Sequence, residues 1–429
     1  MSTSFPILQV ALDYVNLKRA IKTARESAAG GVDWIEVGTP LIKSEGLDSV
    51  RELRRLFPDK KIVADMKVMD TGRFEVEAAC KAGADVVVVL GVTDDSTIRE
   101  AVSAGRNYGC MIMADLMNVA DPINRALALE ELGVDFICVH VSIDQQMSGV
   151  DPLDVLLRLS GKIKTPLAVA GGLNSESAAK AVINGACIVI VGGAITKASD
   201  AAKATKDIKK AMSLKKPVKS TLYKRFIEPR EVYKRVSTAN ISDAMHRAGV
   251  MEGIRLFSGA GFMGPAVTVK TYPGDWAKPI EAIDEAGEGD VIVVDAGGTG
   301  KAVWGELASE SCVRKKIAAV VVDGAVRDIK EIRGLGFNVF AREIKPAAGE
   351  PKGMGEINIP ISCGQMTVRP GDWVVGDADG VVVVPKEDAL EVANRAMDVF
   401  ERENRVRSEI KKGSTLSQVL EIKRWEKAK

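Results

Sequence analysis

Residues 7–16 read ILQVALDYVN, and the turn inside this stretch decides the fold. Residues 7–12 form a short run rich in branched apolar side chains, the signature of a buried strand. An open doubly wound sheet would follow its first strand with a glycine-rich turn and would use fewer strands. Here the turn is Asp13-Tyr14-Val15-Asn16, with no glycine. Working outward, seven more runs of the same texture follow at 34–37, 62–66, 86–90, 111–116, 136–141, 167–170 and 188–191. Between them lie amphipathic stretches rich in Ala, Glu, Lys and Arg, as at 74–82 and 175–183. Continuous apolar strands alternating with helices specify a parallel sheet covered by helices. Eight such units, ending near Met212, predict a closed (β/α)₈ barrel, the TIM barrel, in an α/β protein.

The chain has 429 residues, more than one hydrophobic core usually organises, so a second domain is expected. Residues 209–220, KKAMSLKKPVKS, carry five lysines and a proline. No aromatic residue interleaves those lysines, so the run predicts a solvated linker and not a nucleic-acid contact. The predicted organisation is a barrel at 1–212, a linker at 213–222 and a second domain at 223–429. The second half has another texture: a helix at 240–248, then glycine-rich turns and strands at 266–270, 291–295, 319–323, 338–341, 373–376 and 381–385. Strands of mixed character with few intervening helices suggest a β/α sandwich. A long charged amphipathic helix at 386–411 and a short one at 417–425 close the chain, the former serving either surface packing or an oligomer contact.

Bulk properties exclude several classes. Lys and Arg number 59 against 58 Asp and Glu, a net charge of +1, which argues against a broad nucleic-acid-binding surface. The six cysteines (80, 110, 138, 187, 312 and 363) show no CxxC or metal-knuckle spacing and are expected as separate reduced thiols. MSTSFPILQV lacks a basic start followed by a signal-type apolar core, and no apolar run is long enough to span a bilayer. A cytoplasmic protein is expected.

In a parallel barrel, functional groups sit at the carboxyl ends of the strands. Successive strands deliver Asp13, Glu36, Asp65 with Lys67 and Asp70, then Asp115 and His140. The last two strands end in the pairs Gly171–Gly172 and Gly192–Gly193. One polar strand end means little, and Asp65 with Lys67 could be a simple ion pair. Five acidic positions, a lysine and a histidine at one mouth demand a cation or mutual pairing, because like charges raise each other's pKa. A divalent metal with oxygen ligands would serve. Glycine pairs after strands seven and eight expose backbone amides where barrel enzymes often seat a phosphate. A phosphorylated small molecule is the expected substrate.

The string ADMKVMD, Ala64 to Asp70, contains the DxKxxD pattern of the orotidine-monophosphate decarboxylase superfamily. Together with LQVALD, IEVGTPLI, VVVVLGVTDD, AVAGGL and IVIVGGAIT, it makes residues 5–205 resemble hexulose-6-phosphate synthases. The resemblance implies a magnesium (or manganese) ion on Glu36 and Asp65, and Lys67 and His140 as proton-transfer and charge-stabilising groups. It further implies that Asp13 holds substrate hydroxyls, that the glycine pairs cradle the phosphate, and that Asp70 is supplied to a neighbouring subunit's site in a dimer. The implied reaction joins formaldehyde to ribulose 5-phosphate, or reverses that step. Where the family commonly has Thr-Gly after the histidine, this chain has Val141 and Ser142. Ketogulonate-phosphate decarboxylases share the framework but usually place arginine after the last glycine pair, where this chain has Ala194.

In the second half, GGTGK within VVDAGGTGKAVWGELA lacks phosphate-loop spacing, and Ala302 stands where Ser or Thr would hold magnesium. With VVVDGAVRDIKEI and DADGVVVVP, these strings make residues 225–425 resemble the RraA regulators and the 4-hydroxy-4-methyl-2-oxoglutarate aldolases. The resemblance implies that Gly305, Glu306, Leu307 and Ala308 offer amides to a 2-oxo acid, that Arg327 binds it, and that Asp328 orients a divalent metal. Regulator-type members typically lose the acid at Asp328, and a binding module that contacts an RNA-processing enzyme is the alternative. A simpler reading of Asp328 is an N-terminal cap for the following helix. Barrel dimers and trimeric sandwiches would make the chain a homo-oligomer. His246 is expected on a helix surface without chemistry.

Overall fold

A computed structural model describes residues 6–147, 149–220, 222, 226, 228–420 and 422. Residue 223, the expected start of the second domain, and Trp425, the expected end of the last helix, lie outside them. The chain divides into two compact units, one of residues 1–225 and 401–429, the other of residues 226–400.

The first unit is a closed barrel of eight parallel strands: β1 (Ile7–Leu12), β2 (Trp34–Val37), β3 (Lys61–Val68), β4 (Val86–Leu90), β5 (Met111–Asp115), β6 (Phe136–His140), β7 (Leu167–Ala170) and β8 (Ile188–Val191). Each strand pairs with the next, and β8 closes on β1. Alternation along each strand sorts the side chains. Leu8, Val10 and Leu12 pack outward beneath the helices, while Ile7 and Ala11 join Trp34, Val63, Met113, Phe136 and Ile188 in the barrel interior. Trp34 and Phe136 meet edge to face at 5.5 Å, a geometry worth about 0.5–1.5 kcal/mol beyond burial.

Three aspartates at the opposite, amino-terminal end are structural. Asp33, Asp85 and Asp135 each precede an even-numbered strand and accept the amide of the second residue of the strand before it, from Leu8, Ile62 and Ile112, at 2.8 Å. Each also donates its own amide back to the same residue. These acids fix register and stand apart from the functional acids at the other end.

The expectation of six separate thiols is corrected: Cys80 and Cys110 are joined as a disulfide, with Cα atoms 6.0 Å apart. The spacing of 30 residues hid the pair, because Cys80 lies on the helix Gly72–Lys81 and Cys110 just before β5, and the parallel order brings them together. Cys138, Cys187, Cys312 and Cys363 are free. No helix among the described residues is long and apolar enough to cross a membrane.

Residues 213–222 do not simply hang in solvent. Val218 exchanges bonds with Ser175 through its amide (3.2 Å) and carbonyl (2.7 Å), and the Ser220 amide donates to Glu176 at 2.9 Å. The chain returns to this unit at its end, in the last turns of the helix Ala389–Lys411.

In the second unit the strands are β9 (Arg255–Ser258), β10 (Phe262–Lys270), β11 (Val291–Asp295), β12 (Ala319–Val326), β13 (Asn338–Ile344), β14 (Glu356–Ile357), β15 (Ile361–Cys363), β16 (Met366–Val368), β17 (Trp373–Asp377) and β18 (Gly380–Val384). The main sheet runs β18-β17-β10-β11-β12-β13-β9, with β14 added to β10. Its centre, β10 to β13, is parallel, and the edge pairs are antiparallel. Helices Ala277–Glu285, Glu306–Lys315 and Ile329–Leu335 connect the parallel strands. One face of the sheet packs with Trp304, Ala308, Cys312 and Ile332, the other with Met251, Phe340 and Cys363. His246 lies exposed just past the helix Thr238–Ala244, in a left-handed turn.

Candidate active site

The charged strand ends of the barrel surround a cavity of about 300 Å³ lined by Asp13, Glu36, Asp65, Lys67, Asp115, His140 and the glycines 171, 172, 192 and 193. Glu36, Asp65 and Asp115 are buried at 6%, 5% and 2% exposure, whereas Asp13 stands exposed at the rim. This placement follows from inward alternation: Glu36 lies two residues past Trp34, Asp115 two past Met113, His140 two past Cys138.

β3 is irregular where it matters. Its pairing with β4 shifts register between Ala64 and Val68, and Lys67 adopts a left-handed φ of 48°. A non-glycine residue there costs about 1–3 kcal/mol and persists only where the surroundings hold it. The gain is that Asp65 and Lys67 both face the cavity. The Lys67 ammonium lies 3.0 Å from Asp65 and 3.3 Å from Asp115. Asp115 accepts from the Met117 amide at 2.9 Å and shares its other oxygen with His140 Nδ1 at 2.7 Å. Thr39 donates its hydroxyl to the Asp65 carboxylate at 2.7 Å, and Gln9 donates Nε2 to Glu36 at 2.6 Å.

The electrostatics follow. Burial alone would raise the Asp115 carboxyl, but the charge and hydrogen bond of His140, with Lys67 and the Met117 amide, bring it down to about 2. Burial would lower both Lys67 and His140, yet neighbouring carboxylates overcome it and raise each above its ordinary value, Asp65 and Asp115 for the lysine and Asp115 for the imidazole. Glu36 is pushed well up by burial, then by the negative charges of Asp65 and Asp13. Two parts emerge: Lys67 between the Asp65 and Asp115 carboxylates with His140 on the latter, and Glu36, whose buried carboxyl feels the negative charge of Asp65.

The glycine pairs fill the rim on the β7 and β8 side. Gly171 has a φ of 111°, and a Cβ there would meet the Val141 carbonyl at 2.7 Å, so only glycine lets the loop lie this close. Asp70 does not join the cavity of its own chain. It is exposed beside Arg73, Phe74 and Ser96 in a separate surface depression.

Reading strand ends overlooked several lining residues, among them Gln9, Thr39, Cys138 and Gln146. Gln9 and Cys138 sit in the inward phase of β1 and β6, so alternation alone would have found them. Thr39 and Gln146 come from helices after β2 and β6, and the sequence carries no signal for them.

Whether the residues suit a divalent cation turns on the donor set. Among the described residues no three His, Cys, Asp or Glu side chains cluster as a metal cage. Magnesium seldom uses one: it keeps several waters and takes one or two carboxylates. Glu36 and Asp65, buried all-oxygen donors repelling each other beside a polar cavity, fit such a site.

In the second unit a pocket of about 580 Å³ is lined by Trp276, Trp304, the segment Gly305–Ala308, Arg327 and Asp328. Asp328 occupies the N-cap position of the helix Ile329–Leu335 but makes no side-chain cap bond, so the capping reading is corrected. Its carboxylate accepts instead from the Glu306 amide at 3.3 Å and lies 3.4 Å from Arg327 Nε. A Cβ at position 305 would meet that carboxylate at 2.6 Å, so a larger residue there would displace the Asp328 side chain.

Comparison with known proteins agrees with both halves. The orotidine 5'-phosphate decarboxylase / HUMPS family model matches residues 6–208, and the Aldolase/RraA model matches residues 238–383. A 3-hexulose-6-phosphate synthase of Bacillus subtilis (strain 168) is 39% identical over 203 residues, covering 47% of this chain and 96% of the relative. That of Mycobacterium gastri is 39% identical over 206 residues, covering 48% and 99%. A crystal structure of 3-hexulose-6-phosphate synthase is 40% identical over 48% of this chain and 99% of its own, with a TM-score of 0.47. Through its barrel the chain belongs to the orotidine 5'-phosphate decarboxylase / HUMPS family, with an RraA-like domain fused to it.

Proposed function

We propose that the barrel is an aldolase-type lyase that joins formaldehyde to ribulose 5-phosphate, and reverses that step, in the manner of the hexulose-6-phosphate synthases it is similar to. The observation that supports this most directly is the shared Asp115 carboxylate, which ties a charged lysine to an imidazole in one cavity. With Nδ1 committed to Asp115, His140 exchanges with the substrate the proton carried on Nε2. It removes a proton from the carbon beside the ketose carbonyl. Lys67, held cationic by two carboxylates, stabilises the negative charge that then develops on the oxygens. That charge state disfavours a Schiff base, which needs a neutral amine.

Glu36 and Asp65 are the residues that would hold a divalent cation, magnesium or manganese, which when bound supplies further positive charge for the sugar's oxygens. Asp13 at the rim orients hydroxyls, and the amides of Gly171, Gly172, Gly192 and Gly193 receive the phosphate. Asp70 is assigned to the cavity of a second copy in a barrel dimer.

The pocket of the second unit is read as a 2-oxo acid site. The Arg327 guanidinium suits a carboxylate, and Asp328, turned away from capping, is left to orient a cation.

The decisive experiment follows hexulose 6-phosphate formation by the full chain from ribulose 5-phosphate and formaldehyde, with and without magnesium, beside Asp65→Ala. Cation-dependent turnover lost in the variant is the expected result. Turnover unaffected by Asp65→Ala, or decarboxylation of a ketogulonate phosphate with no formaldehyde chemistry, overturns the reading.

A further inference from the structure

Near its end the chain places one buried arginine against the barrel. Arg405, in the last turns of the helix Ala389–Lys411, is 4% exposed. Its guanidinium divides among three elements. Nη1 donates to the Ala198 carbonyl at 2.6 Å, Nη2 to Glu26 at 3.1 Å on the helix Leu17–Ala29, and Nε to Glu409 at 3.1 Å one turn further along its own helix. Glu409 in turn lies 3.3 Å from Lys22 and 3.6 Å from Arg19 on the same Leu17–Ala29 helix.

Ala198 is not an arbitrary carbonyl. It ends the turn that begins at the Gly192–Gly193 pair, and every link of that turn is closed. The amides of Ile195 and Thr196 donate to Gly192, that of Lys197 to Gly193, and that of Ala198 to Ile195. A second clamp acts one residue pair earlier. Tyr14, adjacent to Asp13, donates its hydroxyl to the Thr196 carbonyl at 3.1 Å and pairs with Thr23 at 2.8 Å. The carbonyl end of the glycine turn is thus held by Tyr14 from the loop after β1 and by Arg405 from a segment 207 residues away in sequence.

Helix docking by itself calls for apolar contact, and a buried cation is costly unless its donors are all taken. Spending three donors on one carbonyl and two carboxylates makes sense where position must be exact to a fraction of an ångström. We infer that Arg405 is a positioning residue for the barrel's phosphate loop, fixing the Gly192–Ala198 turn so that its glycine amides keep one geometry. This rests on the assignment of the phosphate to the glycine pairs made above. The anion is bound alike in ground and transition states, so the consequence falls on KM and leaves kcat nearly unchanged.

The test uses the full chain with Arg405→Met and Arg405→Lys. Two quantities are read: KM and kcat for ribulose 5-phosphate at saturating formaldehyde, and the affinity for inorganic phosphate by calorimetry. For Arg405→Met we expect KM and the phosphate dissociation constant to rise together by about 10-fold, with kcat within about twofold of wild type. Arg405→Lys, which keeps the charge but cannot serve three acceptors at once, should show a smaller parallel rise, and it decides alone if the methionine variant does not fold. Unchanged KM and phosphate affinity in a folded variant overturn the inference, as does a fall in kcat with both constants unmoved. A wild-type chain inert toward ribulose 5-phosphate refutes the proposed function instead. Weaker inorganic phosphate binding in the variants then still supports the role of Arg405, and unchanged binding overturns it.

Discussion

Replacing Asp115 by asparagine removes a charge and almost no volume, and its consequence can be worked out from contacts already described. The amide oxygen can still accept from the Met117 backbone. What disappears is the anion that His140 Nδ1 approaches at 2.7 Å and Lys67 at 3.3 Å. A hydrogen bond to a charged group is worth about 1.5–3 kcal/mol, which is roughly one to two pKa units on the imidazole. In the wild type Asp115 raises His140 above 6.5 against the pull of burial. With the anion gone, burial dominates and the imidazole falls below its ordinary value. In the addition direction His140 acts as a base, so wild-type kcat/KM rises as pH climbs through a pKa above 6.5. In Asp115→Asn that rise should move down by about one to two units, and the plateau should drop about 10- to 100-fold as the base weakens and Lys67 loses an anchor. The assay is kcat/KM for ribulose 5-phosphate from about pH 5 to 9. A profile with its inflection unmoved would refute the Asp115–His140 coupling as the source of the base.

The same carboxylate predicts an acid limb in stability. Its folded value of about 2, against 3.8 for a free aspartate, stabilises the fold by about 2 kcal/mol. That contribution is present above pH 3.8 and lost as pH falls toward 2, so urea midpoints should drop there in the wild type and less in Asp115→Asn. Gly171→Ala forces a Cβ to within 2.7 Å of the Val141 carbonyl at a φ of 111°. It should cost about 1–3 kcal/mol, visible as a lower Tm, and raise KM for the phosphosugar; an unchanged Tm contradicts the close approach. Asp328→Ala should abolish metal-dependent turnover of 2-oxo acids while formaldehyde chemistry at the barrel continues. Retained turnover would remove Asp328 from the second site.

Part of this protein was legible in one dimension. Repeated apolar runs 21 to 31 residues apart predicted eight strands and a barrel, because strand and helix periods are local properties of a chain and parallel pairing leaves few topologies. The strand-end rule then placed Asp13, Glu36, Asp65, Lys67 and His140 at one mouth, since the carboxyl end of every strand opens on the same side. What needed three dimensions were relations between distant residues. The Cys80–Cys110 bond, the Asp115 carboxylate shared by Lys67 and His140, the turn of Asp328 away from its helix, and the reach of Arg405 to Ala198 each depend on which elements become neighbours. Local sequence specifies elements and their faces. Contacts between residues far apart arise only when burial of apolar surface brings those elements together, and no short-range pattern carries that information.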